Sequence, residues 1–128
     1  MNKIYTTIEQ SKKLAKILSL ESADMCWGIC DETLKWKTFP YLMPWRNYTA
    51  KEHYLPCWSL AALLDQLEHV IYDEEGHEYQ LQIIKEGVQY YLIYDGVDYA
   101  AYYDTSLFDN LIDACYEMIL KLHEEKLL

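Results

Sequence analysis

The spacing of apolar and polar positions changes period several times along the chain, and each change marks an element. Ile8, Leu14, Ala15, Ile17 and Leu18, with the small Ser11 among them, recur at helical spacing, and Lys12, Lys13 and Lys16 fall on the other side. This predicts an amphipathic helix capped by Thr6 or Thr7, with Glu9 or Gln10 three residues on, that ends near Leu18. Between Met25 and Lys37 the period falls to two. Met25, Trp27 and Ile29 alternate with Cys26, Gly28 and Cys30, and Leu34 and Trp36 alternate with Thr33, Lys35 and Lys37. A hairpin turning at Asp31-Glu32 accounts for both runs.

Residues 38–57 carry Pro40, Pro44 and Pro56 among aromatic side chains and show no period. A structureless connection of this length is uncommon in a compact domain, so it holds either a short strand or a functional loop. Ser59 then caps a second helix, onto which Trp58 can staple against Leu63. Its apolar stripe runs through Leu60, Leu63, Leu64, Leu67, Val70 and Ile71, and Asp73-Glu74-Glu75-Gly76 ends it. Three strands are predicted next, over 79–83, 88–94 and 99–103, turned at Glu86-Gly87 and at Asp95-Gly96. The second of these pairs fits a type I′ hairpin. A last helix starts at Asp109 or Asn110 and runs to about Glu125, with Leu111, Ile112, Cys115, Met118, Ile119 and Leu122 facing inward and a Glu117–Lys121 pair outside. The expected architecture is a single α+β domain over 1–128. An antiparallel sheet, made of the N-terminal hairpin and the three-strand meander, carries three helices mainly on one face.

Charge adds a direction to this picture. Residues 1–64 hold eight Lys or Arg against six Asp or Glu, whereas residues 65–128 hold three against fifteen. The overall net charge of −10 leaves too few cations to neutralise phosphates, so nucleic acid is not an expected ligand. Neither an apolar leader nor a run of about 20 apolar residues is present, which predicts a cytoplasmic protein without a membrane span. Four cysteines without an export signal fit a reducing compartment and free thiols.

Three groups of residues could carry chemistry. Cys26 and Cys30, with His53 and Cys57, have zinc-like spacing, although ordinary cytosolic thiols explain the same pattern. Cys57 precedes a helix and has His53 nearby as a base, the minimum for a thiol nucleophile. Trp45, Arg46, Tyr48, His53 and Tyr54 interleave rings with charge in the 38–57 loop, but with too few cations for a nucleic-acid footprint. Seven of the thirteen tyrosines lie between Tyr79 and Tyr103. Half-buried sheets favour tyrosine, and so do interfaces. Tyr91 and Tyr102 are therefore interaction candidates, together with Asp95, Asp98 and Asp104 at turns or strand ends. No cofactor and no metal is expected from these patterns.

The segments Glu9-Gln10-Ser11-Lys12-Lys13-Leu14, Leu20-Glu21-Ser22-Ala23-Asp24-Met25, Pro56-Cys57-Trp58-Ser59-Leu60-Ala61-Ala62-Leu63-Leu64, Asp113-Ala114-Cys115-Tyr116-Glu117-Met118-Ile119 and Leu122-His123-Glu124-Glu125-Lys126-Leu127-Leu128 stand out as words. Together they resemble a family of small uncharacterised proteins from gut Bacteroidales genomes of prophage or mobile-element type. Where that family often opens its last helix with Asn-Pro, Leu111 follows Asn110 here. The resemblance implies a phage-type accessory protein and transfers no functional residue. The leading expectation is a non-enzymatic protein that contacts a protein partner through an acidic, tyrosine-rich surface, whose charge suits a basic partner. Homodimerisation through a sheet edge or the tyrosine face is a further expectation. An acidic DNA mimic that inhibits a nucleic-acid-binding protein is the alternative, and a small enzyme built on Cys57 and His53 is the second.

Overall fold

In a computed structural model the chain is α+β, with residues 3–30, 35–36 and 54–128 described. The elements in order are α1 (Ile8–Leu14), a 3₁₀ turn (Leu20–Ser22), β1 (Met25–Cys30), β2 (Lys35–Trp36), β3 (Tyr54–Cys57), α2 (Leu60–Gln66), β4 (Val70–Tyr72), β5 (Glu78–Glu86), β6 (Gln89–Gly96), β7 (Tyr102–Asp104) and α3 (Leu111–Glu124). The strands form two antiparallel sheets, β2-β1-β3 and β4-β5-β6-β7, where the sequence pattern predicts one. The chain divides into two compact units, residues 4–62 and residues 1–3 with 63–128. No helix among the described residues is long and apolar enough to cross a membrane.

In the 4–62 unit, Thr7 caps α1 in a complete capping box, its side chain accepting from the Gln10 amide at 3.1 Å while Gln10 Oε1 accepts from the Thr7 amide at 3.0 Å. The helix is shorter than its stripe predicts. After Leu14 the amides of Lys16 and Ile17 bond three residues back, tightening the chain into turns before Leu18. The hairpin pairs as expected, Ile29 opposite Trp36 and Cys30 opposite Lys35, and its connection lies outside the described residues. The aperiodic 38–57 segment ends in a strand: Tyr54–Cys57 pairs with β1 along Met25–Gly28. Thr6 ties the N-terminal segment to the end of that strand. Its amide donates to the Trp58 carbonyl at 2.9 Å, and its buried hydroxyl accepts from the Trp58 amide at 3.1 Å and lies 2.8 Å from Ser11 Oγ. Ser59 Oγ accepts from the Ala62 amide at 3.2 Å, the expected cap of α2, and itself donates to Asp24.

In the other unit the expected second helix is cut short. Val70–Tyr72, its predicted last turn, is instead an edge strand paired with Glu78–Gln80. A Leu67-Val70-Ile71 stripe satisfies a helical period, but β-branched Val and Ile also suit a strand, and β5 supplies the missing hydrogen bonds. Asp73 makes the turn between them. Its Oδ1 accepts from the amides of Glu75 at 3.0 Å and His77 at 2.9 Å, and Gly76 supplies the left-handed position at φ 86°. Gly87, at φ 66°, opens the two-residue turn from β5 to β6.

Asp95-Gly96 is not the predicted type I′ turn. Both residues belong to β6, and the chain reverses later, through 97–101. Glycine is needed at 96 for a different reason: a Cβ there would meet the Tyr99 carbonyl oxygen at 2.1 Å and the Ala101 oxygen at 2.9 Å.

Helix α3 lies against β6. Asn110 caps it, accepting from the Asp113 amide at 2.9 Å; of the predicted inward row Ile112, Cys115, Met118, Ile119 and Leu122 are buried, whereas Leu111, in the first turn, is only half-buried. Each large apolar side chain in that row contributes roughly 1.5–3 kcal/mol on burial. The helix ends in a Schellman turn, with Leu127 N donating to Leu122 O at 2.8 Å and Lys126 N to His123 O at 3.1 Å. Lys126 takes the left-handed position at φ 59°. Lys121 reaches β7, donating to the Asp104 carbonyl and lying 4.0 Å from its carboxylate.

Candidate functional site

Register assigns the tyrosines to faces. Opposed residues in an antiparallel pair share a face, and neighbours along a strand alternate. Tyr79, Leu92, Tyr94 and Tyr103 fall on the face that α3 covers, and the first three are buried. The other face holds Ile84 opposite Tyr91, Ile93 opposite Asp104, and Asp95 opposite Tyr102, with Val70 and Tyr72 from the edge strand. Tyr72 and Tyr102 are well exposed there, at 59% and 60%. Glu78, Glu86, Asp95 and Asp104 ring this surface, and its strand positions include no Lys or Arg. Lys85, the one cation on β5, points to the opposite face, where it sits 5.7 Å from the Tyr90 ring centre. Tyr91, Ile93, Tyr102, Asp104 and Leu107 line a shallow groove of about 410 Å³ at one end of the surface.

Four of the five sequence-predicted interaction residues, Tyr91, Asp95, Tyr102 and Asp104, thus share one sheet face. Asp98 lies in the exposed 97–101 connection and lines neither concavity described here.

A second concavity, of about 460 Å³, opens within the same unit, and nothing in the sequence pattern singled it out. Tyr79, Tyr99 and Tyr103 wall it; Asp73, Glu74 and Glu75 come from the β4–β5 turn, and Glu125 from the end of α3. Its aromatic wall is fixed in place. The His77 and Tyr99 rings stack with centroids 3.9 Å apart and planes 6° apart, and Tyr79 and Tyr103 meet at 5.1 Å. Asp73 Oδ2 accepts from the Tyr79 hydroxyl at 2.9 Å and lies 3.0 Å from His77 Nδ1. Desolvation opposes the ionised form of Asp73, but the His77 amide, the Tyr79 hydroxyl and the His77 ring outweigh it and hold its carboxyl below the usual range. Burial, together with the bond to Asp73, pushes the Tyr79 phenol up, so it stays a neutral donor. The one sequence signal for this corner was Asp73 with Gly76, which the helical stripe absorbed as a helix end.

The cysteine chemistry does not assemble. Met25 opposes Cys57 and Cys26 opposes Pro56, so Cys26 and Cys57 point to opposite faces of β1–β3 and cannot share an ion. No cluster of three metal-ligating side chains occurs among the described residues. Cys57 is fully buried, and burial pushes its thiol up to about 11, although hydrogen bonds from Thr6 and Ser11 pull the other way. That is the reverse of an activated nucleophile. Burial raises the Cys115 thiol to about 12. Tyr54 sits on β3 opposite Gly28, whereas Trp45, Arg46, Tyr48 and His53 lie outside the described residues.

These shifts have a measurable consequence. A thiol whose folded pKa is raised stabilises the fold below its unfolded value and loses that contribution as pH climbs past it. For Cys57, the step from 9.0 to about 11 is worth roughly 3 kcal/mol. Peptide-resolved iodoacetamide labelling is expected to leave Cys26, Cys57 and Cys115 unmodified in the native protein at neutral pH. The urea midpoint is expected to fall as pH rises above about 9. Rapid native alkylation of Cys57 would contradict its placement.

Comparison of the chain with protein-family models, with curated proteins and with solved structures returned no match.

Proposed function

We propose that the protein is a non-enzymatic binding module that docks a basic protein partner on the outer face of the β4-β5-β6-β7 sheet. One observation carries this reading: the half-buried Ile84, Tyr91 and Ile93 and the exposed Tyr102 form an apolar and aromatic centre bordered by Glu78, Glu86, Asp95 and Asp104, with no cation on this face of the strands and Lys121 of α3 at 4.0 Å from Asp104 alone. Apolar centres with polar rims characterise protein interfaces, and tyrosine is enriched in them. The acidic rim selects a basic partner through on-rate and register more than through raw affinity. The same reading places the protein in the cytosol, where the buried Cys26, Cys57 and Cys115 thiols stay reduced. A DNA mimic would share the basic partner and draw on the carboxylates alone, whereas Tyr91 and Tyr102 between them favour ordinary protein contact.

Affinity purification from the native host, with wild-type bait and a Tyr91→Ala/Tyr102→Ala bait, tests this. A basic protein is expected on the wild-type bait, reduced at least tenfold by the double substitution and weakened between about 0.05 and 0.5 M salt. Retention that ignores both changes overturns the reading. Loss of self-association in sedimentation, in place of loss of a second protein, would identify the partner as another copy of the chain. Displacement of the captured protein by duplex DNA would favour the mimic.

A further inference from the structure

We propose that the partner is held by strand addition: an extended, basic segment of it pairs with the open side of β5 along Gln82–Glu86. Who the partner is rests on the outer-face reading; how it is held does not. The basis is a break in the sheet's hydrogen bonding. β6 pairs with β5 from Tyr79 to Glu86, whereas β4 covers only Glu78–Gln80 on the other side. The last bond on that side runs from the Leu81 amide to the His69 carbonyl at 2.8 Å.

Parity fixes which groups are left over. In an antiparallel ladder the backbone groups of successive residues point to opposite neighbours. The Leu81 amide points toward β4, so the N–H and C=O of Ile83 and Lys85 point the same way. Among the described residues no backbone group meets them there. Those of Gln82, Ile84 and Glu86 point to β6. The stretch is also accessible: Gln82, Lys85 and Glu86 are exposed, and Ile83 is 46% exposed. Alternating open donors and acceptors along one strand are the template that an added strand completes.

The other edges of the sheet carry protection that this stretch lacks. At β7, Lys121 donates to the Asp104 carbonyl, and the edge strand β4 is limited to Val70–Tyr72. Short strands and lysines laid over an edge are how sheets avoid gaining strands. β5 continues through Gln82–Glu86 without proline or bulge. Its one lysine, Lys85, leans over the Tyr90 ring of β6, away from the open side.

Register and charge specify the occupant. A strand seated here places alternate side chains on the outer face, beside Ile84 and Glu86 and continuous with Tyr91. An apolar residue suits Ile84, and Lys or Arg suits Glu86. A second copy fits poorly. Antiparallel pairing of β5 with itself about Ile84 puts Gly87 of the copy opposite Leu81, where His69 already lies, and each copy carries a net charge of −10.

The probe is a capped palindromic peptide, Ac-Thr-Lys-Val-Val-Val-Lys-Thr-amide, which presents the same side chains in either direction. Amide NMR and hydrogen exchange of the full chain follow its binding. In the free protein the Ile83 and Lys85 amides are expected to exchange fast and those of Gln82 and Ile84 slowly. Saturating peptide is expected to slow Ile83 and Lys85 by about tenfold or more. A peptide with Glu in place of Lys is expected to bind about tenfold more weakly. N-methylation of one alternate set of peptide amides should abolish binding, and of the other set should spare it. Lys85→Pro, which removes an outward N–H and leaves the β6 ladder intact, is expected to weaken binding about tenfold, whereas Lys85→Ala retains it. Methylation changes only the peptide, so that arm decides the matter even where the proline variant fails to fold.

Equal tolerance of both methylation patterns overturns strand addition, as does binding that leaves Ile83 and Lys85 unprotected. Equal binding of the Glu peptide overturns the basic occupant. Self-association that the peptide displaces would make the occupant a second copy and overturn the assignment to a partner. The two readings fail separately. Release of the captured protein by Tyr91→Ala/Tyr102→Ala but not by Lys85→Pro leaves the outer face standing and removes strand addition; release by Lys85→Pro alone does the reverse.

Discussion

Replacing Trp58 by alanine is expected to cost about 3–5 kcal/mol, enough to leave much of a typical domain's stability spent. Trp58 is fully buried and follows β3 directly, where three different kinds of contact meet on one residue. Its indole Nε1 donates to Ser22 Oγ at 2.9 Å, its amide donates to Thr6 Oγ1, and its carbonyl accepts from the Thr6 amide. The alanine variant keeps the backbone bonds but loses the ring volume and leaves Ser22 without its donor. Trp58→Phe separates those terms: it retains most of the apolar volume and removes the Nε1 bond, with an expected cost of about 1–2 kcal/mol. Equilibrium urea unfolding, followed by far-UV circular dichroism, measures both. A cost below about 1 kcal/mol for the alanine variant would show that the ring is not packed as described.

Gly96→Ala is expected to cost roughly 2–4 kcal/mol, although alanine has the better propensity for ordinary backbone at that position. The cause is steric, since the new methyl would overlap the Tyr99 carbonyl oxygen and crowd that of Ala101. Relief requires moving the 97–101 connection, which strains the Gly96 N–H bond to Ala101 O at 2.9 Å and the bond from Val97 N to Glu78 O at 3.0 Å. Gly76→Ala is the internal control. Its Cβ meets nothing within 4 Å, so only the left-handed backbone at φ 86° is penalised, by about 1 kcal/mol. Equal costs at the two glycines would refute the close approach. Because Tyr99 and Ala101 line the second concavity, Gly96→Ala is also expected to broaden or shift their amide resonances while leaving those of β1–β3 in place.

The sequence made some of this legible and hid the rest for definite reasons. The α1 and α3 caps, the buried row from Ile112 to Leu122, the β1–β2 pairing and the turn at Gly87 all follow from residues within a few positions of one another. Val70–Tyr72 misled because a helical stripe and a β-branched run coincide there, and only β5 breaks the tie. Gly96 misled because Asp-Gly matches a turn as well as a strand end crossed by another backbone. The interaction residues were legible as a type, tyrosine beside aspartate, but Asp98 shows that type alone does not place a residue on the face.

Helix caps, amphipathic stripes and strand alternation are short-range properties, and for these the amino-acid order is sufficient. The division of strands between two sheets depends on partners far apart in the chain, and so does the face each tyrosine takes. The second concavity is the extreme case, because Asp73, Tyr99, Tyr103 and Glu125 come from a turn, a connection, a strand and a helix end. Long-range pairing sets that meeting through hydrogen bonds between distant segments, and no local period encodes it.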